Sequence, residues 1–237
     1  RAAKGIPSTA AITPIQFCEK YCQYVDEGYT DVIHVPINRS GSSTYNNAVM
    51  AQGMLREERP EHHLNIHLLD PHTYSMVFGW YLCEMARKLQ NGAELRHVIS
   101  EFESQMNKME VILGPYSLKQ MKKSGRISAA AAVMGELMGI RPIITLIDGK
   151  TRVESKVRGD DKVIPAMIDL CKKRTEGVED FDYMIGHTSI PQAVELEKAC
   201  RKAFGKAPLT TFNLGGVVSA NTGPDTLALV YVGKPRD

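Results

Sequence analysis

The chain reads as an α/β protein of two domains, an N-terminal parallel α/β domain over residues 1–113 and a C-terminal mixed α/β domain over residues 114–237. Three observations predict this. Residues 31–90 carry strand and helix signals in the order β-α-β-α, which implies parallel strands joined by right-handed crossovers. Asp148-Gly149 separates two runs rich in β-branched residues, and Asp-Gly is the turn pair that matches the twist of an antiparallel hairpin. Beyond the hairpin, helices and strands follow in mixed order, and a hydrophobic content of 43% over 237 residues is enough to build the core.

Thr13-Pro14 is a helix start, a capping hydroxyl followed by a proline that fits the first helical turn, and Phe17, Tyr21, Tyr24 and Val25 recur at helical spacing. The helix is expected over 14–27, ending before Gly28. Residues 31–37 form an apolar, β-branched run, as expected of a strand covered on both faces. Helices at 45–56 and 74–90 flank a strand at 64–69, and Asn91-Gly92 closes the second helix. A helix at 94–107 and the short apolar run Val111-Ile112-Leu113 complete the first domain. The second holds the hairpin strands 140–147 and 151–157, a helix at 163–173 and a strand at 182–187. A helix opened by Ser189-Ile190-Pro191, a strand at 209–212, the Gly-rich run 214–223 and a strand at 226–232 follow.

Charge and composition exclude several classes of function. Lys and Arg number 29 against 27 acidic residues, so a net charge of +2 leaves no footprint for nucleic acid or an anionic membrane. No stretch approaches the roughly 20 apolar residues of a membrane span, so no stable membrane insertion is expected and the cytoplasm is the default location. The chain starts at Arg1 and reads as a trimmed product or as part of something longer. Cys18, Cys22, Cys83, Cys171 and Cys200 are odd in number, scattered, and mostly in helix-like segments, which suits reduced core residues. Cys18 and Cys22 can share a helix face, yet no second Cys or His pair stands at zinc spacing, so no metal and no cofactor is expected. His62, His63 and His67 read as surface residues, and His187 as a hydrogen-bonded structural histidine.

The most informative segment is Arg39-Ser40-Gly41-Ser42-Ser43-Thr44, between the first strand and its helix. Unpaired N–H groups at a helix N-terminus, aided by the helix dipole, receive an anion there. The plainer alternative makes Ser42 or Ser43 an ordinary N-cap. Asn221-Thr222-Gly223-Pro224 places amide and hydroxyl donors beside small residues, either for a ligand or as turn chemistry. The basic loop 122–126 leads into a helix of small residues, 129–132, capped by Ser128. Arg126, Lys156 and Arg158 could pair with an anion, but surface ion pairs with the neighbouring Asp160 and Asp161 are the expected outcome. No nucleophile elbow, phosphate loop or dinucleotide fingerprint is present, so no catalytic residue is expected and binding without chemistry is the simpler outcome.

In order along the chain, these segments resemble the DegV family of bacterial fatty-acid-binding proteins. The family's Thr-Ser-Gln-Pro-Ser segment corresponds to Thr9-Ala10-Ala11-Ile12-Thr13, where Thr9 matches and Ala10 and Ala11 do not. Its Leu-Ser-Gly-Thr-Tyr turn is similar to Gly41-Ser42-Ser43-Thr44-Tyr45, and its Lys-Lys-Gly-Gly-Arg-Ile-Ser signature to Lys122 through Ser128. The family's Lys-Pro-Ile, Asp-Gly and Lys-Val-Arg signatures are seen here as Arg141-Pro142-Ile143, Asp148-Gly149 and Lys156-Val157-Arg158, and Asn221-Thr222-Gly223-Pro224 stands where the family has His-x-Gly-Pro-Gly.

The resemblance implies a DegV-like two-domain fold that binds one long-chain fatty acid between its domains. The carboxylate would be held by Thr9 and Ser42, with Ser43 and Asn221 as further ligand-binding positions. Asn221 can donate a hydrogen bond there but cannot carry charge. It further implies a non-catalytic subunit that presents the acid to a separate fatty acid kinase protein. Family members begin with another strand and about one more α/β unit, so the N-terminal sheet is expected to lack its first strands and to have an open edge. The rival from a different class is an enzyme acting on a phosphorylated small molecule at the Ser-rich turn.

Overall fold

The computed structural model of the protein describes residues 7–126, 139–188 and 190–235. The expected helix of small residues at 129–132, its cap Ser128 and the helix opener Ser189 lie outside the described residues. The chain parts into two compact units. The smaller is Ala10–Tyr74, and the larger takes Ser75 to the C-terminus together with the segment that ends at Thr9.

The smaller unit is a β-α-β motif with a helix in front. Helix α1 (Pro14–Asp26) starts at a complete capping box, in which Thr13 and Gln16 satisfy each other's backbone N–H groups. Strand β1 (Asp31–His34), helix α2 (Thr44–Glu58) and strand β2 (Asn65–Leu68) follow, and β1 and β2 pair in parallel. The expected strand 31–37 is shorter than the sequence suggested, and none of its four residues is fully buried. Val32, Ile66 and Leu68 pack against a core of Phe17, Cys18, Tyr21, Ala48, Ala51 and Leu55 from α1 and α2. Asp31 and His67 lie on the opposite face, where Asp31 Oδ1 and His67 Nε2 meet at 2.9 Å. Side chains alternate along a strand, so one apolar face suffices for the helices and the other keeps its polar groups.

The larger unit opens with helices α3 (Met76–Gln90) and α4 (Leu95–Met106), which pack on each other. Strand β3 (Met109–Pro115) is buried at every position, and the short helix α5 (Lys119–Ser124) follows it. Strands β4 (Ile140–Ile147) and β5 (Lys150–Arg158) form the expected hairpin around Asp148 and Gly149, both at positive φ. Then come α6 (Val163–Arg174), β6 (Tyr183–His187), α7 (Ile190–Phe204), β7 (Thr211–Asn213), α8 (Gly215–Thr222) and β8 (Thr226–Val232). The sheet order is β5-β4-β3-β8-β6-β7, antiparallel throughout except for β6 with β7. The boundary expected between residues 113 and 114 thus falls inside β3, a central strand of this sheet.

Local chemistry accounts for two further features. The Gly-rich run 214–223, to which the sequence assigns no element, is largely helical, with Gly215 and Gly216 in its first turn, Asn213 Oδ1 accepting from Gly215 N, and Gly223 at its C-cap. Asp160 pairs with Arg141 at 2.7 Å and Asp161 with Lys162 at 3.3 Å, in place of the expected partners Arg126, Lys156 and Arg158. In the sheet core, buried Glu110 accepts from Arg174 Nε, from Arg174 Nη2 at 3.0 Å and from Tyr231 Oη at 2.6 Å. All its partners are donors, which is what a buried carboxylate requires.

Candidate functional site

The Ser-rich turn lies beyond the carboxyl ends of β1 and β2, where open parallel sheets receive ligands. Its frame is Asn38, which is fully buried. Asn38 N donates to Thr73 O at 3.0 Å, its Nδ2 donates to Tyr74 Oη at 3.0 Å, and its Oδ1 accepts from Ser40 N at 3.0 Å. One side chain thereby ties the loop after β1 to the loop after β2. Gly41 N closes the turn onto Asn38 O at 3.2 Å, and a Cβ at Gly41 would overlap the Tyr74 hydroxyl.

Ser42 Oγ accepts from Thr44 N at 3.2 Å and shares a 2.7 Å hydrogen bond with Thr44 Oγ1. Ser43 occupies the N-cap position of α2 in a helical conformation, makes no side-chain cap and is exposed. Neither serine is therefore an ordinary cap of the kind in which a hydroxyl reaches the second or third helical N–H. Of the first four N–H groups of α2, Thr44 is bound by Ser42 and Asn47 by Ser43 O at 2.8 Å. Those of Tyr45 and Asn46 project from the helix end with the positive pole of its dipole.

The facing loop is polar and tightly held. Asp70 Oδ1 accepts from His72 N at 3.0 Å and Arg39 N at 3.4 Å, and Oδ2 lies 3.5 Å from His72 Nδ1 and 3.8 Å from Arg39 Nε. Thr73 is 4% exposed, and its Oγ1 has no hydrogen-bond partner among the described residues. His72 and Ser75 sit at positive φ, a conformation that L-residues adopt at a cost of order 1–2 kcal/mol. At the end of β1, His34 Nδ1 meets Tyr21 Oη at 2.6 Å, and burial pushes the imidazole below its ordinary value.

The remaining sequence-chosen residues lie in the larger unit. Thr9 is half-buried in a segment without regular structure. Asn221 lies in the last turn of α8; its Nδ2 donates to Val217 O at 2.8 Å and its carbonyl accepts from Ser124 Oγ at 3.2 Å. His187 ends β6, but its Nδ1 is buried without a hydrogen-bond partner among the described residues, unlike the bonded histidine the sequence suggested. Its value is lowered by burial. Cys83 is exposed, so the expectation of core cysteines holds for the other four only. Sequence reasoning missed Asn38 and Tyr74. An Asn three residues ahead of a glycine was the available signal for the first, and nothing local marked the second.

Fold and turn define an α/β protein with a Ser-rich helix N-terminus at the carboxyl edge of a parallel strand pair. The chain belongs to the DegV family, described as "Uncharacterised protein, DegV family", which it matches over residues 1–234. A DegV domain-containing protein of Clostridium perfringens is 29% identical over 232 residues, covering 96% of this chain and 78% of that protein. Among solved structures, a fatty acid binding DegV family protein of Streptococcus agalactiae is 26% identical with a TM-score of 0.84, over 98% of this chain and 81% of that one. A stearic acid-binding protein of Eubacterium ventriosum shares the fold with a TM-score of 0.86 at 21% identity, over 98% of this chain and 80% of that one. Among the described residues, no helix is long and apolar enough to cross a membrane.

Proposed function

We propose that the protein binds a long-chain fatty acid and performs no chemistry on it, with the carboxylate received at the Ser-rich turn. The observation that carries this is the turn itself, in which Ser42, Ser43 and the N–H groups of Tyr45 and Asn46, unbonded among the described residues, gather at the N-terminus of α2 in a DegV chain. The fatty acids named for the Streptococcus and Eubacterium relatives support the ligand class. Thr9 and Asn221 are the further head-group ligands in this proposal. Neutral donors suffice, because the tail supplies the affinity. About 0.8 kcal/mol per buried methylene gives a sixteen-carbon acid on the order of 10 kcal/mol before ordering costs. Beside the turn, Asp70 engages both Arg39 and His72, which suits a binding site better than the rival phosphate enzyme.

The finer part of the proposal is that the protein acts in the cytoplasm and presents the acid to a separate kinase subunit. Native extraction and mass spectrometry of the purified chain should recover a long-chain acid at near one per chain. Repeated preparations free of lipid, with no palmitate uptake on addition, would refute binding. Failure of an ATP-binding fatty acid kinase subunit to phosphorylate the bound acid would remove only the presenting role.

A further inference from the structure

A second cluster of ligand-bearing side chains lies where α1 packs on α2, and the proposed lipid site does not use it. Cys18 and Cys22 stand four residues apart on α1, so their thiols share one helix face, and both are buried. Glu58, the last residue of α2, reaches the same place from the neighbouring helix and is itself exposed. The two sulphurs and a Glu58 carboxylate oxygen all lie within 4.8 Å of one another, and Cys18 Sγ is 3.6 Å from Glu58 Oε2.

We propose that Cys18 Sγ, Cys22 Sγ and a Glu58 carboxylate oxygen form a site for one thiophilic divalent cation of the zinc class, with solvent as the fourth ligand. Tetrahedral zinc with sulphur at about 2.3 Å and oxygen at about 2.0–2.2 Å holds its ligand atoms roughly 3.5–3.8 Å apart. Small side-chain rotations bring the cluster to that spacing. Two sulphur ligands select zinc-like cations over magnesium or calcium, which prefer oxygen.

Charge and access both fit. Two thiolates, one carboxylate and a dication sum to a single negative charge. Arg59, the residue after Glu58, carries a guanidinium that can offset it and rests 3.7 Å from Asp26. Thiolate ligation releases the thiol protons, so a cation with high sulphur affinity is the one that competes. The exposed Glu58 provides the way in. Sequence spacing showed only the Cys18 and Cys22 pair, because the third ligand arrives from a different helix.

The test is a titration of the full, reduced chain with cobalt(II), then zinc(II). One equivalent of cobalt should give tetrahedral visible bands and a thiolate-to-cobalt charge-transfer band, both abolished by one equivalent of zinc. Glu58→Gln, at an exposed helix end, should keep the native circular dichroism and weaken cobalt affinity at least about tenfold, the scale seen when metal-site partners are lost. Cys18→Ala with Cys22→Ala should remove the charge-transfer band. Absence of that band in the folded wild-type protein, or equal cobalt affinity in wild type and Glu58→Gln, would overturn the site.

Discussion

At the scale of single residues, Gly41 is held by a neighbour and not by its own backbone. Its φ is not in the left-handed region, but a Cβ there would overlap the Tyr74 hydroxyl. Gly41→Ala is expected to lower stability by about 1–3 kcal/mol through overpacking, read as a lower urea midpoint at unchanged slope. Tyr74→Ala in the same chain should recover part of that loss, since contacting residues are not additive. Glu110→Ala strands Arg174 and Tyr231 in the sheet and should cost about 3 kcal/mol, the lower end for a buried pair because Arg174 is partly exposed. His34 makes a pH prediction. Its folded value is depressed by burial, so the unfolded chain binds the extra proton. Stability is then full above the ordinary imidazole value of 6.5 and falls as pH drops through the depressed one. His187 has the same sign. Urea unfolding of His34→Gln should show a shallower loss on acidification than the wild type. The apolar run at 111–113 was legible because burial writes itself in composition. The role of Glu110 was not, because Arg174 is 64 residues away in sequence.

At the scale of elements, local chemistry predicted most of what forms. Thr13, Pro14 and Gln16 announce α1, and the capping box is present; Thr13→Ala should cost about 1 kcal/mol in thermal unfolding. Asp148-Gly149 announces the β4–β5 hairpin, and Gly149 is found at φ 72°. Gly149→Ala forces a Cβ into the left-handed region and should cost about 1–2 kcal/mol without changing the sheet. The Gly-rich run was assigned no regular element in the sequence and is mostly helix α8, with Asn213 Oδ1 accepting from Gly215 N at its start. The first strand was read too long and too buried, since its hydrophobic run includes Pro36 and Ile37, which carry the chain into the turn after pairing stops.

At the scale of the molecule, a ligand that binds only the folded chain must stabilise it. Palmitate at a hundredfold excess over its dissociation constant should add about 2.7 kcal/mol, read as a raised melting temperature, and Ser42→Ala should shrink that shift at fixed palmitate. The sheet order was beyond sequence reading. β8, the last strand in the chain, inserts between β3 and β6, and this places residues 109–115 in the larger sheet. Periodicity gives each strand's existence but not its neighbours, which are chosen by packing across long separations.

The sequence by itself determined the kinds of elements, their order, the capped helix start, the hairpin turn and the resemblance to DegV proteins, because each rests on residues within a few positions of one another. Only the tertiary structure decided that Asn38 bridges two loops through Tyr74, that Glu110 lies among buried donors, and that Glu58 joins Cys18 and Cys22. Those contacts join residues far apart in the chain, and their energy exists only once folding has brought the partners together and excluded water from between them.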